Sequence, residues 1–299
     1  MDFPDLTVDG TFPLGAAVMA SALIAGINPV IALLLAFVAG LAAGCVTAAI
    51  HNYLKVPGLL AGILTMTMLW SINIRAMGGK ANMPLLGVEG IIKQFERFAV
   101  PFLGADRQVA VELSHLILIG AVALAILFGL ILFFRTDMGI SIGAMGNNQQ
   151  MVISGGQDPR QLKFVGLGLS NGLVALAGAF AAQYNGFADV NLGQGIIIAG
   201  LASVMLGEFV LRSNKISLLA FRVLLGSLLY RAIMYGVRRY GMEDINVFGL
   251  FSFKPGLTPS DLKLLTGIII IIAIAASIMK KTNEKKNIQQ RKGAGNAQA

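Results

Sequence analysis

Long apolar runs, each near 20 residues and separated by short polar clusters, set the pattern of this chain. They lie at about 12–28, 29–50, 57–77, 113–134, 162–184, 195–211, 216–237 and 262–280. A helix needs about 20 apolar residues to cross roughly 30 Å of hydrocarbon, and strands do not run so long. No stretch alternates apolar and polar residues as a membrane barrel would. The pattern predicts an all-α, polytopic helical membrane protein, with about eight transmembrane helices in a single domain over residues 1–280.

Two of the polar breaks echo each other. Phe3-Pro4-Asp5-Leu6-Thr7-Val8-Asp9 resembles Phe187-Ala188-Asp189-Val190-Asn191-Leu192-Gly193, and each leads into three apolar runs. By alternation the runs that follow the two copies cross in opposite directions. Polar, Gly- and Pro-interrupted breaks at corresponding places in two inverted halves point to a transport pathway. The halves are expected at about 1–134 and 160–280, with an inside loop at 135–161 between them. The second copy is preceded by an apolar run and the first is not, so the pattern expects nine helices with a missing first one.

Composition narrows the class further. With 56% hydrophobic and 13% charged residues and a mean hydropathy of +0.76, the chain is no ordinary soluble protein. Its net charge of +8 does not point to nucleic acid, because six cations (Lys280, Lys281, Lys285, Lys286, Arg291 and Lys292) cluster in the tail 281–299 and just before it. Such a cluster after a last helix favours the cytoplasmic side and anionic headgroups. The tail is expected to be disordered, the 135–161 loop to lie inside, and the 78–112 and 238–261 loops outside. The single cysteine, Cys45, allows no intramolecular disulfide and no metal site. His51 and His115 read as helix-end residues rather than ligands, and no metal or cofactor is expected. No Gly-x-x-x-x-Gly-Lys-Ser/Thr occurs, so any nucleotide chemistry belongs to a partner.

The candidate solute path runs through the echoed breaks: Phe3, Asp5, Thr7 and Asp9, then Asn185, Asp189 and Asn191. Polar groups at membrane depth face protein or water rather than lipid. The same residues also suit helix caps, for instance Asp9 or Thr11 before Pro13. Asn171 either lines the path or bonds across helices, while Gly168, Gly172, Gly178, Gly40 and Gly44 read as close-packing positions. Glu208 and Arg222 reach similar depth in a hairpin turning near 212–216 and are expected to form a structural ion pair, with Arg212 competing for Glu208. Residues 88–98 put Val88, Ile91, Ile92, Phe95 and Phe98 on one face of an amphipathic helix at the outer surface. The inside loop should hold a short protruding helix over about 144–154, suited to a groove in another protein.

Four stretches carry a family resemblance across nearly the whole chain. They are Phe3–Ala17, Gly200–Glu208, Gly226–Arg231 and Asp261–Thr266. In them the chain resembles the permease subunits of ATP-binding-cassette importers, in the branch of branched-chain amino acid and ribose permeases. Within that branch it looks like tryptophan/tyrosine uptake permeases. The resemblance implies a homodimer in a bacterial inner membrane, with two ATPase subunits inside, a solute-binding protein outside, and alternating access. It implies that residues 136–159 couple to the ATPases, with Gly139, Ala144, Gly146, Asn148 and Gly156 at the family's positions. It departs at Gly143, where relatives carry Arg, at the absent leading helix, and in a longer loop over 243–260. The competing expectation is an ion-gradient-driven secondary transporter, which also uses broken helices but needs more acids at mid-membrane depth.

Overall fold

The computed structural model describes residues 3–104, 106–211, 216–240 and 267. Chain packing divides it into two units, 1–196 and 197 onward, each considered by itself. The first unit holds α1 (Val8–Ile24), α2 (Pro29–Leu54), α3 (Gly58–Ala76), the short strand β1 (Asn82–Pro84), α4 (Ile91–Leu103) and α5 (Arg107–Phe133). It continues with α6 (Asp137–Asn147), α7 (Gln149–Ser154), α8 (Pro159–Asn185), strand β2 (Phe187–Asp189) and a 3-10 turn over Val190–Gly193. The second unit is a hairpin of α9 (Ile196–Val210) and α10 (Ile216–Tyr240). The loop 243–260, the tail and, apart from residue 267, the last expected membrane helix, 262–280, lie outside the described residues.

Among the described residues, five helical segments are long and apolar enough to cross a membrane: 29–54, 58–76, 107–133, 159–185 and 190–210. The distribution of side chains agrees with such a setting. Many fully buried positions are small or polar (Ala16, Ala36, Thr11, Thr47, Asn171), beside a few large ones such as Met19, whereas Leu34, Val38, Leu116, Leu124 and Phe128 are exposed. In water this arrangement would leave large aliphatic patches unsatisfied, but lipid solvates them well.

Helix ends follow local chemistry. Asn28 caps α2 through a bond from the Val30 N–H, with Pro29 at the first helical position. Asp158 does the same for α8 from Arg160, again with Pro159 at the first position. Gly186 (φ +77°) ends α8 by donating to the Ala182 carbonyl, a backbone conformation that glycine alone adopts without strain.

Helix α8 sits against both α1 and α2 through glycine faces. A Cβ on Gly15 would lie 1.9 Å from the Ala175 carbonyl oxygen, and one on Gly178 would lie 1.9 Å from that of Phe12. On the other side, a Cβ on Gly44 would lie 2.2 Å from the Leu167 carbonyl oxygen, and one on Gly40 would lie 2.5 Å from that of Asn171. Small residues here bring backbones into direct contact, the main source of helix association where lipid tails compete equally for apolar surface. This explains why α8, which opens the second half of the sequence, packs in the same unit as α1 and α2.

The second unit packs by the same device. A Cβ on Gly226 would meet the Ser203 carbonyl oxygen at 2.0 Å, and one on Gly207 that of Arg222 at 2.3 Å. Because Gly207 is the residue facing α10, Glu208, about 100° farther round the helix, is exposed. The expected Glu208–Arg222 ion pair is therefore not formed, and the buried Arg222 Nε has no partner among the described residues.

Replacing Gly44 with Leu should destabilise the protein by about 3 kcal/mol, because the added atoms meet backbone rather than a movable side chain. Gly120→Leu on α5, with open space around it, should stay within about 0.5 kcal/mol of the wild type. Thermal melts of the purified protein in detergent check both, and equal melting temperatures would contradict the packing described.

Candidate functional site: a buried polar network and the cavity beside it

Helix α1 starts deep inside the unit. Asp5 and Thr7 lie beside Asn171, near the middle of α8, and beside Thr47 on α2. The Asp5 carboxylate accepts from the Thr7 N–H (2.9 Å) through one oxygen and from the Asn171 Nδ2 (2.7 Å) through the other. Asn171 also donates to the Leu167 carbonyl (3.0 Å) and accepts from the Thr11 hydroxyl (2.8 Å), so its amide is fully satisfied. The Thr7 and Thr47 hydroxyls meet at 2.8 Å, and Thr47 also bonds the Ala43 carbonyl at 3.2 Å. Thr7, Thr11, Thr47 and Asn171 are all fully buried. Asn171 thus bonds across helices, to Asp5 and Thr11.

The helix begins at Val8, two residues earlier than a cap at Asp9 would require and four earlier than one at Thr11. Asp5 fixes the entry by its bond to Thr7, and the Thr7 side chain turns to Thr47 instead of capping. Pro13 then falls inside α1 and supplies no N–H to the Asp9 carbonyl four residues earlier. Gly193 of the second echo packs on that carbonyl, where a Cβ would come within 1.9 Å. The Asp9 carboxylate in turn accepts from the Gly195 N–H at 3.4 Å.

The two echoed segments thus meet, and their local geometry is parallel. Asp189, like Asp5, accepts the N–H two residues on (Asn191, 2.7 Å) and the amide of a distant asparagine (Asn82, 3.0 Å). The surroundings differ. Asp189 sits at the antiparallel β1–β2 pair, where Asn82 faces it, while Asn185 and Asn191 are exposed. Phe3 packs edge-on to His51 (ring centroids 5.1 Å apart) and against Gly58. His51 bonds the Val56 carbonyl through Nδ1 (2.7 Å) and meets the Lys163 ammonium at Nε2 (2.8 Å).

A cavity of about 320 Å³ opens where the echoes meet, lined by Asp9, Gly10 and Pro13 from α1, Val190 and Gln194 from the second break, and Met66, Thr67, Trp70 and Asn73 from α3. The four α3 residues share one face, at spacings of one, three and three. Of the residues expected on a solute path, Asp9 reaches this cavity; Thr7 and Asn171 close the network beside it. Sequence reading missed the α3 wall, although the chain's single tryptophan three residues before an asparagine inside an apolar run was a visible signal.

At another part of the unit, the 135–161 loop folds as two helices instead of one over 144–154. Asn148 is extended and its side chain accepts from the Gln150 and Met151 N–H groups, which stops α6 and starts α7. Ile142, Met145, Val152 and Leu162 form a small core under them, with Ala144 packed against it. Gly139 touches the Phe133 backbone, Gly156 turns at φ +79°, and Gly146 is exposed. Helix α4 starts at Ile91 and is anchored by the buried Ile92, whose N–H meets the Gln183 Oε1 at 3.4 Å, while Phe98 and Phe102 meet as tilted rings in the open.

Comparison with known proteins places this arrangement. The family described as "Branched-chain amino acid transport system / permease component" matches residues 1–274. The chain belongs to that permease family. A tyrosine transport system permease protein of Clostridioides difficile is 35% identical over 289 residues, covering 95% of this chain and 87% of the relative. An uncharacterized protein of Rickettsia prowazekii is 30% identical over 91% of this chain and 87% of its own length. A fructose import permease protein of Bifidobacterium longum is 28% identical over 72% of this chain and 57% of its own. No solved structure gives a significant match. The protein is accordingly a multi-pass membrane transport permease.

In this permease the Asp5–Asn171–Thr11 network ties the start of α1 to the middle of α8. Asn171→Ala should cost about 2 kcal/mol, since it takes the Nδ2 partner from one Asp5 carboxylate oxygen and leaves the Thr11 hydroxyl with the Thr7 carbonyl alone. A thermal melt checks this, and an unchanged midpoint would mean that the network carries no stability.

Proposed function

We propose that this permease is the membrane-spanning subunit of an ATP-binding-cassette importer that takes up an amino acid, with an aromatic one favoured. It works as a homodimer in a bacterial inner membrane, with its C-terminus in the cytoplasm. Two ATPase subunits dock on its cytoplasmic face and a solute-binding protein delivers cargo from outside. The permease itself performs no covalent chemistry; it supplies a path with two states.

The observation that carries this reading is the cavity walled by two polar breaks, one of them a helix that starts at the depth of the middle of α8. Discontinuous helices meeting at mid-depth are the arrangement that transporters use for their solute sites. The name of the Clostridioides relative supports the aromatic amino acid. Coupling is assigned to α6 and α7, with Gly139, Ala144, Gly146, Asn148 and Gly156 shaping the two short helices. Met151 and Ile153 are 66% and 53% exposed there, flanked by Gln149 and Gln150, on a stub too short to be a domain. An apolar tip with a polar rim suits insertion into a groove of a partner.

Pull-down of the tagged permease from native membranes should recover an ATPase subunit and an external binding protein. The complex in proteoliposomes should hydrolyse ATP faster with tyrosine present. Met151→Asp should reduce that stimulation about tenfold while leaving the melting temperature unchanged, as expected for a charge placed in an apolar interface core. Recovery of the folded permease alone, with uptake driven by an ion gradient, would overturn the importer reading.

A further inference from the structure

The cavity beside Asp9 ends on a polar atom that lacks a partner. Asn73 is 1% exposed and donates its Nδ2 to the Gly10 carbonyl at 3.1 Å, yet among the described residues nothing donates to its Oδ1. A buried carbonyl oxygen without a donor is costly, and such atoms in folded proteins call for an explanation. The cavity's own side chains do not supply the donor. Thr67 gives its hydroxyl hydrogen to the Leu64 carbonyl, and Gln194 turns its amide to Asn191. The remaining side chains are Pro13, Met66, Trp70 and Val190, which donate nothing toward Asn73, and the Asp9 carboxylate, an acceptor when ionised.

A molecule entering the cavity can bring the donor that the described residues do not supply. Trp70 and Met66 offer an indole face and a thioether, both of which favour an aromatic ring. Asp9 places a carboxylate in the same cavity, suited to an ammonium. A sugar would bring a hydroxyl on nearly every carbon, and these walls would leave most of them unpaired. The volume, about 320 Å³, lies at the small end of the range for ligand sites.

We propose that this cavity is a solute site within the permease itself, selective for an aromatic amino acid whose ring carries a hydrogen-bond donor. A phenol O–H or indole N–H is given to Asn73 Oδ1, the ring lies against Trp70, and the ammonium faces Asp9. This rests on the importer reading and adds to it a selectivity filter in the membrane subunit, separate from that of the binding protein. A site built to bond a ring donor rejects the analogue that lacks it, because the buried acceptor is then left unpaired.

Trp70 is the only tryptophan in the chain, so its fluorescence reports on this cavity without labelling. The full-length permease in lipid nanodiscs is titrated with L-tyrosine, L-phenylalanine and fructose, with excitation where tyrosine does not absorb. Tyrosine should give a saturable change, phenylalanine should need about tenfold more, and fructose should give none. Asn73→Leu should bring tyrosine to the concentration range of phenylalanine. Equal responses to tyrosine and phenylalanine, a response to fructose but not tyrosine, or silence to all three would overturn the proposal. The ligand series on the unaltered protein decides the matter even where Asn73→Leu fails to fold. Recovery of the ATPase complex is read separately. An intact complex with a silent Trp70 overturns the cavity proposal alone, whereas a responding Trp70 without an ATPase partner supports the cavity and overturns the importer reading.

Discussion

Backbone-to-backbone contact at glycine is the constraint on which the first unit depends. Gly15 and Gly178 join α1 to α8, and Gly40 and Gly44 join α2 to α8, with carbonyl oxygens occupying the space where side chains would stand. Water supplies no driving force for helix association in hydrocarbon, so close contact and internal hydrogen bonds must hold the helices together. The same contact brings Asn171 within reach of Asp5 and Thr11. Move α8 outward by the width of one side chain and the polar network loses its bonds, leaving a carboxylate and an amide stranded at membrane depth.

That network also explains why α1 starts where it does. A helix N-terminus in the middle of a membrane protein exposes backbone donors that lipid does not satisfy. Asp5 takes the Thr7 N–H and the Asn171 amide at once, so a single carboxylate settles the turn and its tertiary anchor. The second break uses Asp189 in the same local manner, toward Asn191 and Asn82, but at a strand pair. Similar short motifs thus make similar turns, and their surroundings decide whether the turn is buried or half-open.

The cavity forms because two interruptions coincide. Pro13 frees the Asp9 carbonyl from its helix, Gly193 approaches it, and α3 faces the gap with Met66, Trp70 and Asn73. Gly10 and Gly193 allow these close approaches: a Cβ on Gly10 would lie 3.1 Å from the Met66 Cα, and one on Gly193 1.9 Å from the Asp9 carbonyl oxygen. The α6–α7 region is a different kind of surface, built on its own small core and presenting Met151 and Ile153 outward. On the importer reading proposed above, a solute cavity and a docking tip on separate elements let a partner act on the path without entering it.

Much was legible in the residues alone. The apolar runs determine the class, because a long run that does not alternate satisfies its backbone across hydrocarbon only as a helix, and their positions agree with the described helices to within about six residues. The echo of Phe3–Asp9 in Phe187–Gly193 marked both breaks, because Asp followed by a polar residue two places on is a local turn signal that needs no distant contact. The Glu208–Arg222 pair was misread because depth alone was used: which side of α9 faces α10 is settled by Gly207, and rotation about a helix axis is a packing outcome. The single helix expected at 144–154 became two because the Asn148 side chain competes with the helix for the next N–H groups. The α3 wall of the cavity could not be read at all. Trp70 and Asn73 look like ordinary members of an apolar run, and only the closeness of Gly10 and Gly62 to their neighbours turns that face toward Asp9. Local chemistry is written in adjacent residues, whereas a cavity is the space left between surfaces that only the packed fold brings together.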